Sequence, residues 1–355
     1  MKERKLYSVS IKCYILNIQA YMRKSIQIKK KETKVGLVKI IELKSKNLTL
    51  VLSNYGAGII DIIYKGINVI VRPASLDDYL TSKAYYGKTI GRTSGRLFPP
   101  SFKIDNVDYL IENTPGDKLH LHGGKDGFAF KFFDLMSYSN NSEGMSITFR
   151  YISKDLESGY PGELTLDVTY VLTYQDEIKI IYDAWSTKDT LCNITNHVYF
   201  NLNQDKNNMD HLEISVDANK YVEIDRLKET VEIIDVVNTL FDLNQVSNMK
   251  DILKKQDYDH TFILSQFESD QLKLYDKQSK IGLNVFTDYP SIVVYTHNYP
   301  DNDLLLNCNT DGIHSSVTAE CQNEPAGIYH PTLNQSILRK DAVYHHETKF
   351  RFYNK

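Results

Sequence analysis

Strict alternation of apolar and polar residues runs through the middle of the chain and predicts antiparallel β-strands. Met145, Ile147 and Phe149 alternate with small or polar residues, and a second run from Leu164 to Leu172 repeats the pattern at period two. Successive side chains of a strand point to opposite faces, so each run has one buried face. We expect two paired strands that cover a common core.

Other apolar runs are separated by short turns rich in Gly, Pro, Asn and Asp, and no helix of about ten residues is predicted. Ser75, followed three residues later by Asp78, starts at most one short helical turn. Strand upon strand with short connections predicts an all-β fold, a large and mostly antiparallel β-sandwich. The further predicted strands lie at residues 48–52, 59–63, 178–184, 192–202, 291–296 and 317–322.

The beginning of the chain differs in character from the rest. Residues 1–35 are basic, show no clean period and close on a charge run that starts at Lys29. We expect residues 1–35 to be a basic extension whose order the sequence leaves open, and residues 36–355 to form a single domain. The same change of character suggests Met22 as an alternative start of the native chain.

Composition narrows the possible ligands. The net charge of -3 is spread over interspersed acids and bases, which argues against nucleic acid and favours a small neutral ligand. The 25 Tyr and 14 Phe suit strands and the faces of sugar rings. The four Cys show no metal or disulfide spacing, and no apolar run reaches the ~20 residues of a membrane span. We expect a cytoplasmic protein without membrane partners, a monomer or homodimer.

The segment from Ile194 to Leu202 holds the first candidate for chemistry. It reads as one strand with a mainly apolar face and a polar face, and His197 lies on the polar face among hydrogen-bonding neighbours. A histidine on a rigid strand suits proton transfer, because its ordinary pKa lies near neutral pH. The alternative is a half-buried structural histidine.

A Gly-rich stretch from Gly87 to Arg96 carries two arginines but not the spacing of a Rossmann or Walker loop. Arg92 and Arg96 could be solvated side chains of a turn or could hold ligand hydroxyls. Further on, His120 and His122 would project from one face of a strand. They could bind a metal, but no third ligand stands at a familiar spacing, so a hydrogen-bonding role is favoured.

A carboxylate in the middle of a late strand is the second candidate. On the segment from Val317 to Gln322, the alternation places Glu320 and Gln322 on one face, opposite Ala319 and Cys321. Glu320 could equally be a solvated surface residue. Asp259 and His260 precede another apolar run and could simply form a surface turn.

Taken together, these segments resemble the aldose 1-epimerase (galactose mutarotase) family from about Gly36 to Lys355. The resemblance rests on the order and spacing of motifs, of which the Thr195 segment is the most specific. These motifs are Gly91-Arg92 to Arg96, Leu121-His122-Gly123-Gly124, Gly159 to Gly162, Thr195 to Leu202, Asp259-His260-Thr261-Phe262 and Glu320-Cys321-Gln322.

The resemblance implies a β-sandwich with a shallow sugar cleft, no cofactor, and the interconversion of hexose anomers. It assigns Glu320 as the base at the anomeric hydroxyl and His197 as the acid at the ring oxygen. His197 should then sit where a neighbouring carboxylate favours the imidazolium. His122 would orient the sugar, and the other substrate-binding residues would be Arg96, Asp259 and, as a helper, Arg92. His120 has no counterpart and is expected to be structural.

The chain departs from the family pattern at two binding positions. Gly95 stands where the family usually has Asn, and Val293 stands where it often has Gln. The run after Gln322 is also altered. These changes keep two other functions open: a non-catalytic sugar-binding protein, and an epimerase that acts on a phosphorylated sugar or a disaccharide.

Overall fold

The computed structural model describes residues 25–224, 230–265 and 270–355, and its regular structure is mostly β-strand. The first strands are β1 Ser25–Thr33, β2 Gly36–Lys44, β3 Leu48–Ser53, β4 Gly58–Tyr64, β5 Ile67–Asn68, β6 Thr89–Ile90, β7 Arg96–Leu97, β8 Ser101–Ile104, β9 Val107–Leu110 and β10 His120–Leu121. The middle strands are β11 Asp134–Asn140, β12 Gly144–Ser153, β13 Leu164–Thr173, β14 Glu177–Ser186, β15 Thr190–Leu191, β16 Thr195–Asn196, β17 Tyr199–Phe200, β18 Leu212–Val216 and β19 Ala218–Ile224.

The last strands are β20 Thr230–Asp235, β21 Ser247–Asn248, β22 Asp259–Leu264, β23 Leu272–Asp276, β24 Ile281–Thr287, β25 Ser291–Tyr295, β26 Val317–Gln322, β27 Ile337–Leu338 and β28 Tyr344–Asn354. Two short α-helices, α1 Leu76–Thr81 and α2 Met249–Leu253, and three single 3₁₀ turns, Phe128–Phe130, Glu157–Gly159 and Gly327–Tyr329, complete the described elements. As predicted, Ser75 caps α1, and its side chain accepts a hydrogen bond from the Asp78 amide.

Three sheets carry the fold. Nine strands pair in the order β11-β12-β13-β14-β28-β24-β23-β18-β21, six in the order β17-β26-β25-β22-β19-β20, and five in the order β1-β2-β3-β4-β5. All pairings between the described strands are antiparallel, for example β12 with β13 and β25 with β26. The predicted antiparallel β-sandwich is confirmed.

The alternating runs identified in the sequence supply the core. Met145, Ile147 and Phe149 of β12 and Leu166 and Val168 of β13 are all 0% exposed. They belong to one continuous cluster that also receives side chains from the six-stranded and five-stranded sheets. Burying these apolar faces together is the main force that holds the sheets against one another.

The predicted boundary at residue 35 differs from what the structure shows. Ser25–Thr33 forms β1 and pairs along its whole length with β2, so the last part of the expected extension belongs to a sheet. Its side chains are mostly exposed and include Lys29, Lys30 and Lys31, which suits an edge strand because lysines discourage further strand pairing. Residues 1–24, and with them the suggested start at Met22, lie outside the described residues, and the single-domain assignment stays a prediction.

The segment from Cys192 to Leu202 was predicted to be one strand, but the structure does not form a single strand there. β16 pairs with β6, whereas β17 pairs with β26 in the six-stranded sheet. Between them the backbone of His197 donates to the Lys88 carbonyl and accepts from the Gly87 amide. The chain therefore passes from one sheet to another at His197, and both faces of the segment are buried instead of one.

Among the described residues, no helix combines the length and the apolar character that crossing a bilayer requires.

Candidate active site

A cleft of about 210 Å³ opens on the face of the six-stranded sheet that points away from the core. The alternation along β26 determines which residues reach it. Val317, Ala319 and Cys321 pack in the core, whereas Glu320 and Gln322 line the cleft. The sequence prediction that Glu320 and Gln322 share one face, opposite Ala319 and Cys321, agrees with this arrangement.

Strand register lays a row of side chains across the floor of the cleft. Val222 of β19 is in register with Thr261 of β22, Thr261 with Val293 of β25, and Val293 with Glu320. All four residues line the cleft. Glu320 is thus held on a central strand by hydrogen-bonded neighbours, which fixes its position more firmly than a loop could.

Loops complete the walls of the cleft. They contribute Tyr85, His122, His197, Tyr299 and Ala326, among others, and the short strand β7 contributes Arg96. The structure therefore brings together five of the six predicted site residues: His197, Glu320, His122, Arg96 and Asp259.

His197 and Glu320 form a close pair at the bottom of the cleft. Nε2 of His197 lies 3.4 Å from Oε1 of Glu320, and both side chains are about 95% buried. The His197 ring stacks on Tyr199 with ring centroids 4.9 Å apart, and the Thr318 hydroxyl donates to Glu320. An imidazole and a carboxylate in contact can exchange or share a proton.

Burial shifts both ionisations of this pair toward the neutral forms. Burial lowers the pKa of His197 to about 4, and burial, followed by the charge of Asp259, raises the pKa of Glu320 to about 8. The neighbouring carboxylate does not favour the His197 imidazolium as expected, because desolvation lowers the pKa of His197 more than the charge of Asp259 raises it. Both shifts favour a pair that carries one titratable proton at neutral pH, on Glu320 and not on His197.

His122 presents a hydrogen-bond donor to the cleft. Its Nδ1 accepts a hydrogen bond of 3.2 Å from the backbone amide of Gly95, so in the neutral ring Nε2 carries the hydrogen. Burial and the neighbouring His197 hold the pKa of His122 well below its ordinary value. A neutral donor of this kind suits a sugar oxygen.

His120 and His122 were predicted to project from one face of a strand, but they point in different directions. β10 ends at Leu121, and His122 has a φ of +51°, which turns its side chain away from the alternation of the strand. The ring nitrogens of His120 instead contact the Glu112 carbonyl at 2.5 Å and the Tyr160 hydroxyl at 2.8 Å. His120 is fully buried outside the cleft, in keeping with the structural role expected for it.

One group of side chains has the composition of a metal site. The nearest ligand atoms of His122, His197 and Glu320 all lie within 4.8 Å of one another. A histidine that binds a metal usually donates its second ring N–H to a neighbouring acceptor. His122 does the opposite, because it accepts at Nδ1 from Gly95 and so directs N–H toward the cleft. The group therefore fits a hydrogen-bonding ligand better than a cation.

Arg96 and Asp259 form an ion pair at the side of the cleft. Nη2 of Arg96 lies 2.6 Å from Oδ2 of Asp259, and both side chains remain partly exposed. Nε of Arg96 has no hydrogen-bond partner in the described part of the chain. The pair can thus hold polar ligand groups at atoms that the ion pair leaves free.

Arg92 does not reach the cleft, contrary to the prediction that it helps to bind substrate. It is 2% exposed, and its guanidinium donates to a cage of acceptors that are 61 to 98 residues away in sequence. Backbone carbonyls of Pro161, Lys154 and Gly162 belong to this cage. Arg92 ties a loop to the sandwich, because a buried guanidinium must satisfy all of its donors inside the protein.

The two departures from the family pattern have clear structural settings. Gly95 has a φ of +71°, and a Cβ added there would lie 2.5 Å from Cβ of Pro325, so an Asn at this position would clash with the altered loop. Val293 lies in the floor of the cleft beside Glu320. Both positions give the cleft apolar or small surface in place of side-chain amides.

The sequence analysis assigned no role to several residues that line the cleft, among them Tyr85, Tyr299 and Gln322. A signal existed for Gln322, since it was placed on the face of Glu320. No local pattern marks Tyr85 or Tyr299, because the loops that carry them reach the cleft only through the tertiary fold.

Comparisons with known proteins agree with this geometry. The sequence profile of the family described as aldose 1-epimerase matches residues 39–351. The chain is 31% identical to galactose mutarotase of Homo sapiens over 332 residues, which cover 89% of this chain and 94% of the human protein. It is 25% identical to maltose epimerase of Levilactobacillus brevis over 296 residues, covering 81% of this chain and 85% of that protein.

A solved structure shows the same architecture. The structure of galactose 1-epimerase from Lactobacillus acidophilus NCFM matches with a TM-score of 0.84 and 26% sequence identity, covering 93% of this chain and 99% of that chain. The homologue of aldose epimerases from C. elegans matches with a TM-score of 0.81 over 93% of this chain, at 21% identity.

Proposed function

This chain belongs to the aldose 1-epimerase family and is an isomerase of the mutarotase type, and we propose that it interconverts the α and β anomers of a free hexose, glucose or galactose. The names of its relatives are those of enzymes that act on sugars, and polar side chains converge in its cleft. The observation that carries the proposal is the buried contact of 3.4 Å between His197 and Glu320.

We assign the two halves of the acid–base chemistry to this pair. The Glu320 carboxylate removes the proton from the anomeric hydroxyl, and protonated His197 gives its proton to the ring oxygen. The bond between the anomeric carbon and the ring oxygen breaks, and the anomeric carbon becomes an aldehyde. After rotation about the adjoining carbon–carbon bond, the ring closes on the other aldehyde face while both proton transfers run in reverse.

The one proton held by the pair is sufficient for this cycle. The pKa shifts favour the proton on Glu320, and the reactive arrangement is reached when it moves to His197 across the 3.4 Å contact. A bound sugar favours that arrangement, since its anomeric hydroxyl donates to a carboxylate and its ring oxygen accepts from an imidazolium. The pair ends each turnover with the proton it began with, so no cofactor is needed.

The remaining predicted residues orient the sugar. We assign His122 as a neutral donor toward the ring-oxygen side, on the strength of its N–H being directed into the cleft. Arg96 and Asp259 are assigned to other sugar hydroxyls. The phosphorylated-sugar alternative rested on Arg92 and Arg96 acting as a pair, and Arg92 lies outside the cleft.

Polarimetry tests the proposal. The optical rotation of freshly dissolved α-D-glucose or α-D-galactose should decay faster with the enzyme than in buffer, and Glu320→Gln should abolish the gain. Glu177→Gln is the matched control, because Glu177 is a buried carboxylate of β14 paired with Arg351 outside the cleft. Equal decay with and without enzyme for every aldose tried would leave the non-catalytic sugar-binding alternative, which sugar-dependent thermal stabilisation would then identify.

A reducing disaccharide is the second candidate substrate. Tyr299 lines the cleft yet is 76% exposed, and its backbone amide donates to the Tyr295 hydroxyl at 2.8 Å. A partly anchored aromatic ring at the rim can stack on a second sugar unit. Tyr299→Ala should then lower kcat/KM for maltose more than for glucose, and an equal effect on both sugars would remove this candidate.

A further inference from the structure

Gln322 is a buried polar residue on the face of β26 that lines the cleft. It is 0% exposed, yet neither its amide nitrogen nor its amide oxygen has a hydrogen-bond partner in the described residues. Its backbone carbonyl, by contrast, accepts from the Ser291 hydroxyl at 2.8 Å, so the strand at this point is well held. The unpaired amide therefore does not result from a loose backbone.

Gln271 shows what a structural glutamine looks like in this fold. It is also 0% exposed, but its amide nitrogen donates to the Thr287 carbonyl and its amide oxygen accepts from the Thr287 amide, both at 2.9 Å. Leaving such groups buried and unpaired is costly, so a native protein keeps them only when something else satisfies them. For Gln322, a ligand in the adjoining cleft can supply the missing hydrogen-bond partners.

We propose that Gln322 is a substrate-binding residue that holds a second sugar hydroxyl while Glu320 holds the anomeric one. The inference rests on the proposed function. Glu320 and Gln322 stand two residues apart on one face of β26, which separates their Cα atoms by about 7 Å. A single hexose can therefore contact both side chains.

The two unpaired atoms also indicate the chemical class of the ligand. A hydroxyl group both donates and accepts, so sugar hydroxyls can satisfy the amide nitrogen and the amide oxygen together. A phosphate or carboxylate only accepts and would leave the amide oxygen buried and unpaired. Gln322 thus favours a hydroxyl group over an anionic group at this point of the cleft. It also supplies a side-chain amide on β26, whereas Val293 of the neighbouring β25 supplies none.

Gln322→Met tests the inference, because it keeps the length of the side chain and removes both polar atoms. We expect kcat/KM for glucose to fall about 10- to 100-fold, while the midpoint of thermal unfolding stays the same or rises. On a panel of 2-, 3-, 4- and 6-deoxyglucose, one sugar should show little loss, since it lacks the hydroxyl that Gln322 holds. Gln271→Met, the matched control, should lower the unfolding midpoint and leave kcat/KM unchanged.

Two results would overturn the inference: no loss with any sugar, or the same loss with every deoxy sugar, which marks a structural role. Failure of the proposed function looks different, because the wild-type protein would then not accelerate mutarotation of any sugar. In that case the rise in unfolding temperature with added glucose still tests whether Gln322 binds the sugar. The rise should be present in wild type and reduced in Gln322→Met, and an equal rise in both, or none in wild type, refutes the assignment.

Discussion

Replacing Glu320 by Gln should remove activity and, at the same time, stabilise the protein in a pH-dependent way. Burial raises the pKa of Glu320 from an ordinary 4.5 to about 8, so the folded protein disfavours the carboxylate. In the unfolded chain Glu320 ionises near its ordinary pKa. Its contribution to stability is fully present below pH 4.5 and is lost as the pH rises through 8.

The size of the effect follows from the two pKa values. One pKa unit corresponds to 1.36 kcal/mol, so the difference of 3.5 gives on the order of 3 to 5 kcal/mol above pH 8, and somewhat less at pH 7. Gln is neutral in both states and of the same size, so Glu320→Gln escapes this loss. The variant should match wild type at pH 4.5 and gain stability steadily between pH 5 and 8.

Urea unfolding at a series of pH values measures this difference directly. Wild type and Glu320→Gln are compared at each pH, and the comparison at pH 4.5 serves as the internal reference. Polarimetry on the same samples should show a loss of activity of 10²-fold or more. A difference in unfolding free energy that is flat from pH 5 to 9, or a variant less stable at pH 9, would refute the reasoning about burial.

Three further predictions follow from the same structure. The pH profile of kcat/KM should be bell-shaped, with a plateau between about pH 4 and 8. Below the plateau His197 takes up a second proton, and above it the pair of His197 and Glu320 loses its single titratable proton. A profile that keeps rising beyond pH 9 would contradict the single-proton pair. Lys88→Met should raise the unfolding free energy at pH 6 by on the order of 3 kcal/mol and much less near pH 10.5, because burial lowers the pKa of Lys88 to about 7. The amine of Lys88 has no hydrogen-bond partner among the described residues, and the aromatic rings of Tyr55 and Tyr79 offset only part of the cost of burying its charge. The same difference in unfolding free energy at both pH values would exclude a titrating lysine. Prolonged dialysis against EDTA should leave the rate of mutarotation unchanged, since His122 directs an N–H at the cleft; a loss that zinc restores would show that His122, His197 and Glu320 hold a cation.

The fold could be predicted from sequence because its signal is local. The period-two runs that start at Met145 and Leu164 encode the buried faces of β12 and β13 directly. Ser75 and Asp78, three residues apart, indicate the start of α1. The placement of Glu320 and Gln322 on one face of β26 followed from the same alternation. What alternation could not reveal was which sheet each strand joins.

The parts of the site that escaped prediction depend on distant segments. Arg92 and Arg96 look alike in sequence, but the acceptors that draw Arg92 into the interior come from residues 153–162 and 190. His122 leaves the alternation because of its left-handed backbone conformation beside a glycine pair. The shifted pKa values of His197 and Glu320 arise from burial that the assembled sandwich alone creates.

The most direct test of the central claim is the mutarotation rate of wild type, His197→Gln, Glu320→Gln and the double variant, measured by polarimetry on fresh α-D-glucose or α-D-galactose. If the two side chains act as one proton-exchanging pair, each single variant loses 10²- to 10⁴-fold and the double variant loses hardly more than either. Independent losses that multiply in the double variant, or a single variant that keeps the wild-type rate, would contradict the account.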